Sequence, residues 1–146
     1  MTENKKIPLL IENAVKLHGH LGPFLVIGVR MGDIAGKHLD LDSKNSCKLQ
    51  ASIRTPLFTP FSCVIDGIQA STGCTVGNRK LRIEKSTKKI TATFKLRSSD
   101  KTMKISVNTK VAEKLIEEMS KGASVEQLAV QVAEMQEEQL FVLEEE

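Results

Sequence analysis

The protein is a chain of 146 residues, of which 40% are apolar and 27% are charged, and its net charge is +3. This composition excludes disordered and fibrous proteins, and the length is typical of a single domain over residues 1–146. No apolar run could cross a membrane, and the apolar stretch near the N-terminus is too short for a signal peptide, so we expect a cytoplasmic protein.

The charge is divided unevenly along the chain. Residues 1–110 carry a net charge of +11, whereas residues 111–146 carry −8. Ten Lys and Arg fall between residues 79 and 104, mostly at the polar positions of predicted strands, so a solvated sheet face explains them. Nucleic-acid binding is a less favoured alternative, because the chain has no Trp or Tyr on which bases could stack. We expect the acidic helices to lie near the basic strands, within a subunit or across a dimer.

The N-terminal part reads as two helices joined by a tight turn. Apolar spacing predicts a helix over 8–17 and a second over 23–39, which Pro23 can open. The second helix is mostly apolar and is expected to be buried. Its glycines Gly28, Gly32 and Gly36 recur every four residues, which favours close packing against another backbone.

The rest of the chain alternates strands and helices. We predict a strand over 47–55, a helix over 61–70, and three strands over 80–85, 89–97 and 101–108 that form a meander. Helices over 109–120 and 124–138 and a short strand over 139–143 complete the chain. This order favours an α+β fold, with one antiparallel sheet and helices packed on one of its faces.

Two segments carry most of the residues that could perform chemistry. His18 and His20 stand in a glycine-rich turn, and Cys63 and Cys74 flank a predicted helix and a glycine-rich loop. Imidazole and thiolate are preferred zinc ligands, so these four residues could form one tetrahedral site, or three of them a site with an open position. The alternative is that the histidines only complement a helix dipole and that Cys63 is a small buried apolar residue.

Several neighbouring residues could assist such a site. The first turn of a helix would favour the thiolate of Cys63, and Asp66 and Gln69 could orient a metal ligand. Arg30 and Lys80 could hold a small anionic substrate. The three cysteines match neither a disulfide framework nor a paired-cysteine zinc motif, although Cys63 and Cys74 could form a redox pair.

The two segments resemble one known family. The first motif runs from His18-Gly-His20 to Pro23, the second is Cys63-Val-Ile-Asp66-Gly-Ile-Gln69, and the third is Thr72-Gly-Cys74 with Gly77-Asn78. Together they are similar to the motifs of the FmdE-like family, which takes its name from a subunit of formylmethanofuran dehydrogenase. The resemblance covers nearly the whole chain. Many members carry Cys where this chain has Gly22, and many add a C-terminal zinc finger, so this chain resembles the core domain alone.

The resemblance implies an α+β homodimer with a bound metal, commonly zinc, at His18, His20, Cys63 and Cys74, with Asp66, Gln69 and Thr72 nearby. It also implies a link to one-carbon metabolism, formylmethanofuran or molybdenum and tungsten enzymes, with dehydrogenase subunits as possible partners. Whether the chain itself catalyses a reaction stays open. The alternatives are an accessory or assembly subunit with a structural metal, and a thiol redox protein that uses Cys63 and Cys74.

Overall fold

The computed structural model describes residues 2–42, 45–97 and 99–145. The first half contains the helices α1 (Thr2–His18), α2 (Pro23–His38) and α3 (Cys63–Thr72), and the strands β1 (Leu49–Thr55) and β2 (Leu81–Lys85). The second half contains β3 (Thr91–Leu96), β4 (Thr102–Val107), α4 (Thr109–Ser120), α5 (Val125–Glu134), α6 (Glu137–Leu140) and β5 (Phe141–Glu145). A single 3₁₀ turn, Ser46–Lys48, precedes β1. None of the described helices is both long and apolar enough to cross a bilayer.

The predicted α+β fold is confirmed, although the sheet is mixed. The five strands lie in the order β2-β1-β3-β4-β5, and the β1–β3, β3–β4 and β4–β5 pairs are antiparallel. The predicted meander is wrong for β2, which pairs in parallel with β1 at the sheet edge. The reason is that α3 forms a crossover between these two strands and returns the chain in the same direction.

The sheet has one buried face and one polar face. Alternate residues of the central strands point into the core, among them Ile53, Phe94 and Ile105, which are fully buried. The opposite positions carry Ser, Thr, Lys and Arg side chains and line an open cleft of about 1030 Å³. The helices therefore cover one face, as the alternation in the sequence predicts.

The helix α2 lies at the centre of the helical layer. Twelve of its sixteen residues are buried, and it packs against α1, α3 and α5. A Cβ atom added at Gly28 would lie within 2.9 Å of the Val64 carbonyl carbon, and one at Gly67 would lie within 2.7 Å of the Val29 nitrogen. The helices α2 and α3 thus cross with their backbones in contact, which confirms the predicted close packing at Gly28. Gly36 has no such neighbour, since an added Cβ would meet only Leu41 at 3.9 Å.

Two elements are longer or shorter than their sequence patterns suggest. The helix α1 begins at Thr2, six residues before the predicted start at Pro8, so that Pro8 lies inside it. The predicted helix over 124–138 is divided at Met135, whose backbone is extended.

The acidic α4 contacts the basic region, since Lys88 forms an ion pair of 2.6 Å with Glu113. The expected closeness of acidic helices and basic strands is confirmed at this point.

Candidate functional site

The end of α1 places a histidine against α3. His18 is the last residue of α1, and Gly19 follows with a φ of +106°, which ends the helix. The Nδ1–H group of His18 donates a hydrogen bond of 2.6 Å to Oδ2 of Asp66. An ionised carboxylate only accepts, so this bond places a proton on Nδ1, and in a neutral imidazole the lone pair is then on Nε2.

The second nitrogen of His18 has no partner. Its Nε2 atom is buried and forms no hydrogen bond with any described residue. Buried polar atoms are satisfied in the great majority of cases, so an unpaired one calls for an explanation. A histidine whose Nδ1–H is held by a carboxylate while Nε2 stays available has the arrangement of a metal ligand.

Two further potential metal ligands lie around the same cavity as His18. The rings of His18 and His20 lie 4.7 Å apart between centroids. Both histidines and Cys63, the first residue of α3, line a small cavity of about 30 Å³. That volume suits one water molecule or one ion. The structure therefore brings together His18, His20, Cys63 and Asp66 from the predicted set.

The carboxylate of Asp66 is held on both sides. One oxygen accepts the bond from His18, and the other accepts a bond of 3.2 Å from Nε2 of Gln69, one helical turn further along α3. The amide oxygen of Gln69 in turn accepts from the backbone N–H of Val76. Gln69 therefore positions Asp66, and Asp66 positions His18.

The pKa of the Cys63 thiol is higher than its place in the first turn of a helix predicts. Burial raises its pKa above the ordinary value, and the nearby Asp66 carboxylate raises it further, while a backbone hydrogen bond acts in the opposite direction. The predicted stabilisation of the thiolate by the helix N-terminus is therefore present as this backbone hydrogen bond, but burial and Asp66 outweigh it. A metal ion would supply the positive charge that this position lacks.

The structure separates Cys74 from the other three predicted ligands. Cys63 begins α3 and Cys74 follows its last residue by two positions, so about 15 Å of helix lies between them. Cys74 is buried, and its thiol donates to the Leu49 carbonyl of β1 at 3.3 Å. This placement argues against a single four-ligand site and against a Cys63–Cys74 disulfide, which requires Cα atoms within about 7 Å.

Thr72 and Lys80 also lie outside the cavity. The Thr72 hydroxyl donates to the Ile68 carbonyl at 2.6 Å and accepts from the Cys74 backbone N–H at 3.1 Å, so it closes the end of α3. Lys80 precedes β2, and its backbone carbonyl accepts a sheet hydrogen bond from Ala51. Burial raises the pKa of Cys74, and the Thr72 hydroxyl and the charge of Lys80 oppose this effect.

Arg30 has a structural contact. Its Nη1 group donates to the backbone carbonyls of Val132, at 2.9 Å, and Met135. These carbonyls lie at the C-terminal end of α5, where a helix leaves acceptors unsatisfied. Burial lowers the pKa of Arg30, and the carboxylates of Glu137, Asp33 and Glu138 oppose this effect. The guanidinium thus joins α2 to α5 and does not line the histidine cavity.

Other residues of the cavity wall were not predicted. They come from distant segments, namely Phe24 of α2, Pro60 before α3, Met119 of α4 and Val125 of α5. These are ordinary apolar residues, so no local pattern could have identified them. Among the described residues, no group of three or more His, Cys, Asp or Glu is already arranged closely enough to hold a metal ion.

Comparison with known proteins identifies the family. A curated protein of Archaeoglobus fulgidus named "Probable S-adenosyl-L-methionine-binding protein" is 36% identical over 76 residues, which are 52% of this chain. The matched segment spans only 20% of that relative's length. The family model "FmdE, Molybdenum formylmethanofuran dehydrogenase operon" matches residues 17–143, which include every residue of the cavity described above. The chain therefore belongs to the FmdE family.

Proposed function

We propose that this FmdE protein binds a divalent transition metal, zinc in the first instance, through His18, His20 and Cys63. The observation that supports the proposal best is the buried Nε2 atom of His18, which has no partner in the described part of the chain while Nδ1 is held by Asp66. Two imidazoles and one thiolate are a donor set that zinc prefers, and the cavity suits a single ion. The donor chemistry therefore fits zinc without Cys74.

The residues around the cavity would perform distinct tasks. Asp66 keeps His18 in the tautomer that presents Nε2, and Gln69 keeps Asp66 in place. Apolar neighbours such as Phe24 and Pro60 limit the entry of water. A bound zinc ion with three protein ligands would act as a Lewis acid, and the open position would be available to a small anionic substrate.

Family membership supports the wider setting of this proposal. We infer a role in one-carbon, formylmethanofuran or molybdenum and tungsten enzyme metabolism, in the cytoplasm and as a homodimer, with dehydrogenase subunits as candidate partners. The alternative is an accessory or assembly subunit whose metal only stabilises the fold. The thiol redox alternative loses its support, because α3 keeps Cys63 and Cys74 apart. Nucleic acid stays the least favoured partner.

Metal analysis of the purified protein tests the site directly. We expect about one zinc per chain in the wild type, and loss of that metal in His20→Ala and Cys63→Ser. His38→Ala and Cys47→Ser are matched controls, because His38 pairs with Glu145 on the surface and Cys47 is exposed. Wild-type protein that binds no metal after growth and purification with added zinc would refute the proposal.

The same preparations separate catalytic from structural metal. If the metal only stabilises the fold, its removal by a chelator should lower the melting temperature strongly. If the site is catalytic, removal should change melting little while substrate-dependent activity disappears. Asp66→Ala should lower zinc affinity about 10- to 100-fold, since partners of metal ligands typically contribute this much. An unchanged affinity in Asp66→Ala would show that the contact with His18 does not serve metal binding.

A further inference from the structure

The polar face of the sheet forms a second concave surface, separate from the histidine cavity. Its cleft of about 1030 Å³ is lined by five cationic and seven hydroxyl side chains. Among the described residues, this lining contains no carboxylate and no apolar side chain. A solvated sheet face usually mixes both signs of charge, so a lining with cations and no carboxylate points to an anionic ligand.

The absence of acidic residues holds for whole strands. The three central strands β1, β3 and β4 contain no Asp or Glu at any position. Within the described sheet, acidic residues stand on the outer strands, where Glu84 of β2 is in register with Arg54 and Glu144 of β5 is in register with Lys104. The middle of the face therefore keeps its positive charge.

The lysines around the cleft are largely unneutralised. Lys88 pairs with Glu113 at 2.6 Å, and Arg54 approaches Glu84 at 3.5 Å. Lys85, Lys89 and Lys104 form no ion pair with any described residue. Between these cations lies a floor of half-buried hydroxyl residues, which includes Ser52, Thr91 and Thr93. Ammonium groups around hydroxyl donors are the chemistry that recognises phosphate oxygens.

We propose that this cleft binds a compact anion with several phosphate groups and no large apolar part. Arg54 on β1 and Lys104 on β4 are separated by two strand spacings of about 4.8 Å and by two residues along the strand direction, because Arg54 pairs with Thr91 and Thr91 pairs with Ser106. The two positions are therefore roughly 12 Å apart. A row of two to four phosphates matches that span. The lining offers no aromatic ring for a base to stack on, which disfavours a nucleic acid strand.

Two substitutions on the same face give a matched test. Lys104 is half-buried and lines the cleft, whereas Lys95 on β3 is exposed, also lies on the polar side, and is not part of the lining. Lys104→Gln and Lys95→Gln each remove one positive charge from neighbouring strands, so they affect the overall charge of the protein equally. Circular dichroism melting establishes that both variants fold.

The experiment is a calorimetric titration with tripolyphosphate at low ionic strength, with monophosphate and an oligo-dT strand as comparisons. We expect saturable binding of one tripolyphosphate per chain, weaker binding of monophosphate, and further weakening as salt is added. Lys104→Gln should weaken binding about fivefold and Lys95→Gln should not change it. The proposal would be overturned if tripolyphosphate did not bind or if oligo-dT bound more tightly. It would also be overturned if both substitutions weakened binding equally, or if neither changed it, as would happen if tripolyphosphate only chelated a metal ion.

Discussion

The backbone contact between α2 and α3 leads to a sharp prediction about stability. Gly28 and Gly67 face each other where the two helices cross, and the neighbours of an added Cβ are backbone atoms. Backbone atoms of two packed helices cannot rotate away as a flexible side chain would. Gly28→Ala or Gly67→Ala must therefore push the helices apart.

The expected magnitude follows from two opposing effects. Alanine favours a helix over glycine by about 1 kcal/mol, whereas overpacking a well-filled core costs about 1–3 kcal/mol and occasionally more. Contacts well inside 3.0 Å with backbone place these sites at the upper end of that range. We expect a net loss of about 2 kcal/mol in the free energy of unfolding, which corresponds to a decrease of about 4–8 °C in melting temperature for a chain of this length.

Thermal and denaturant unfolding of the variants is the assay, and Gly36→Ala is the control. Gly36 lies in the same helix, but an added Cβ there would have its nearest neighbour at 3.9 Å. That variant should be neutral or more stable by up to about 1 kcal/mol. If Gly28→Ala were as stable as Gly36→Ala, the close crossing of α2 and α3 would be wrong. A separation of these helices would also move Cys63 relative to His18, so we expect Gly28→Ala to retain less zinc.

Three further predictions concern the thiols, the cavity and the helix contact. Iodoacetamide near pH 7 should modify exposed Cys47 much faster than Cys63, because burial raises the pKa of the Cys63 thiol. The rate of Cys63 modification should rise as the pH passes the ordinary range of thiol pKa values. Equal rates for the two cysteines at pH 7 would contradict the burial of Cys63. Gly22→Cys should increase zinc affinity, because a Cβ at this extended position would lie 3.7 Å from Nε2 of His20; weaker zinc binding in competition titrations would refute this. Arg30→Met should lower unfolding stability by about 2 kcal/mol through the loss of bonds to two carbonyls of α5, with zinc content unchanged; loss of zinc would instead indicate a role in the site.

The sequence alone determined much of the helical layer. The apolar run after Pro23 and the glycines at four-residue spacing predicted a buried helix with a close neighbour, and α2 has both properties. Such features are local, because the spacing of apolar residues and the size of each side chain can be read directly from the sequence. The alternation of β1, β3 and β4 likewise predicted a sheet with one polar face.

The candidate site was only partly visible in the sequence. The turn between His18 and Pro23 and the helix that starts at Cys63 could be located by their residue types. Their meeting depends on the approach of α1 to α3, which no local signal encodes. The contact between His18 and Asp66 joins residues 48 positions apart.

Tertiary structure decided where β2 and Cys74 lie. The turn residues between β2 and β3 are equally consistent with a hairpin, but α3 is a crossover, and it carries β2 to the far side of β1. The same rigid helix sets the distance from Cys63 to Cys74, because each helical residue advances the chain by about 1.5 Å. Spacing in sequence showed that both cysteines flank α3, and only the folded structure showed that Cys74 contacts β1 and does not line the histidine cavity.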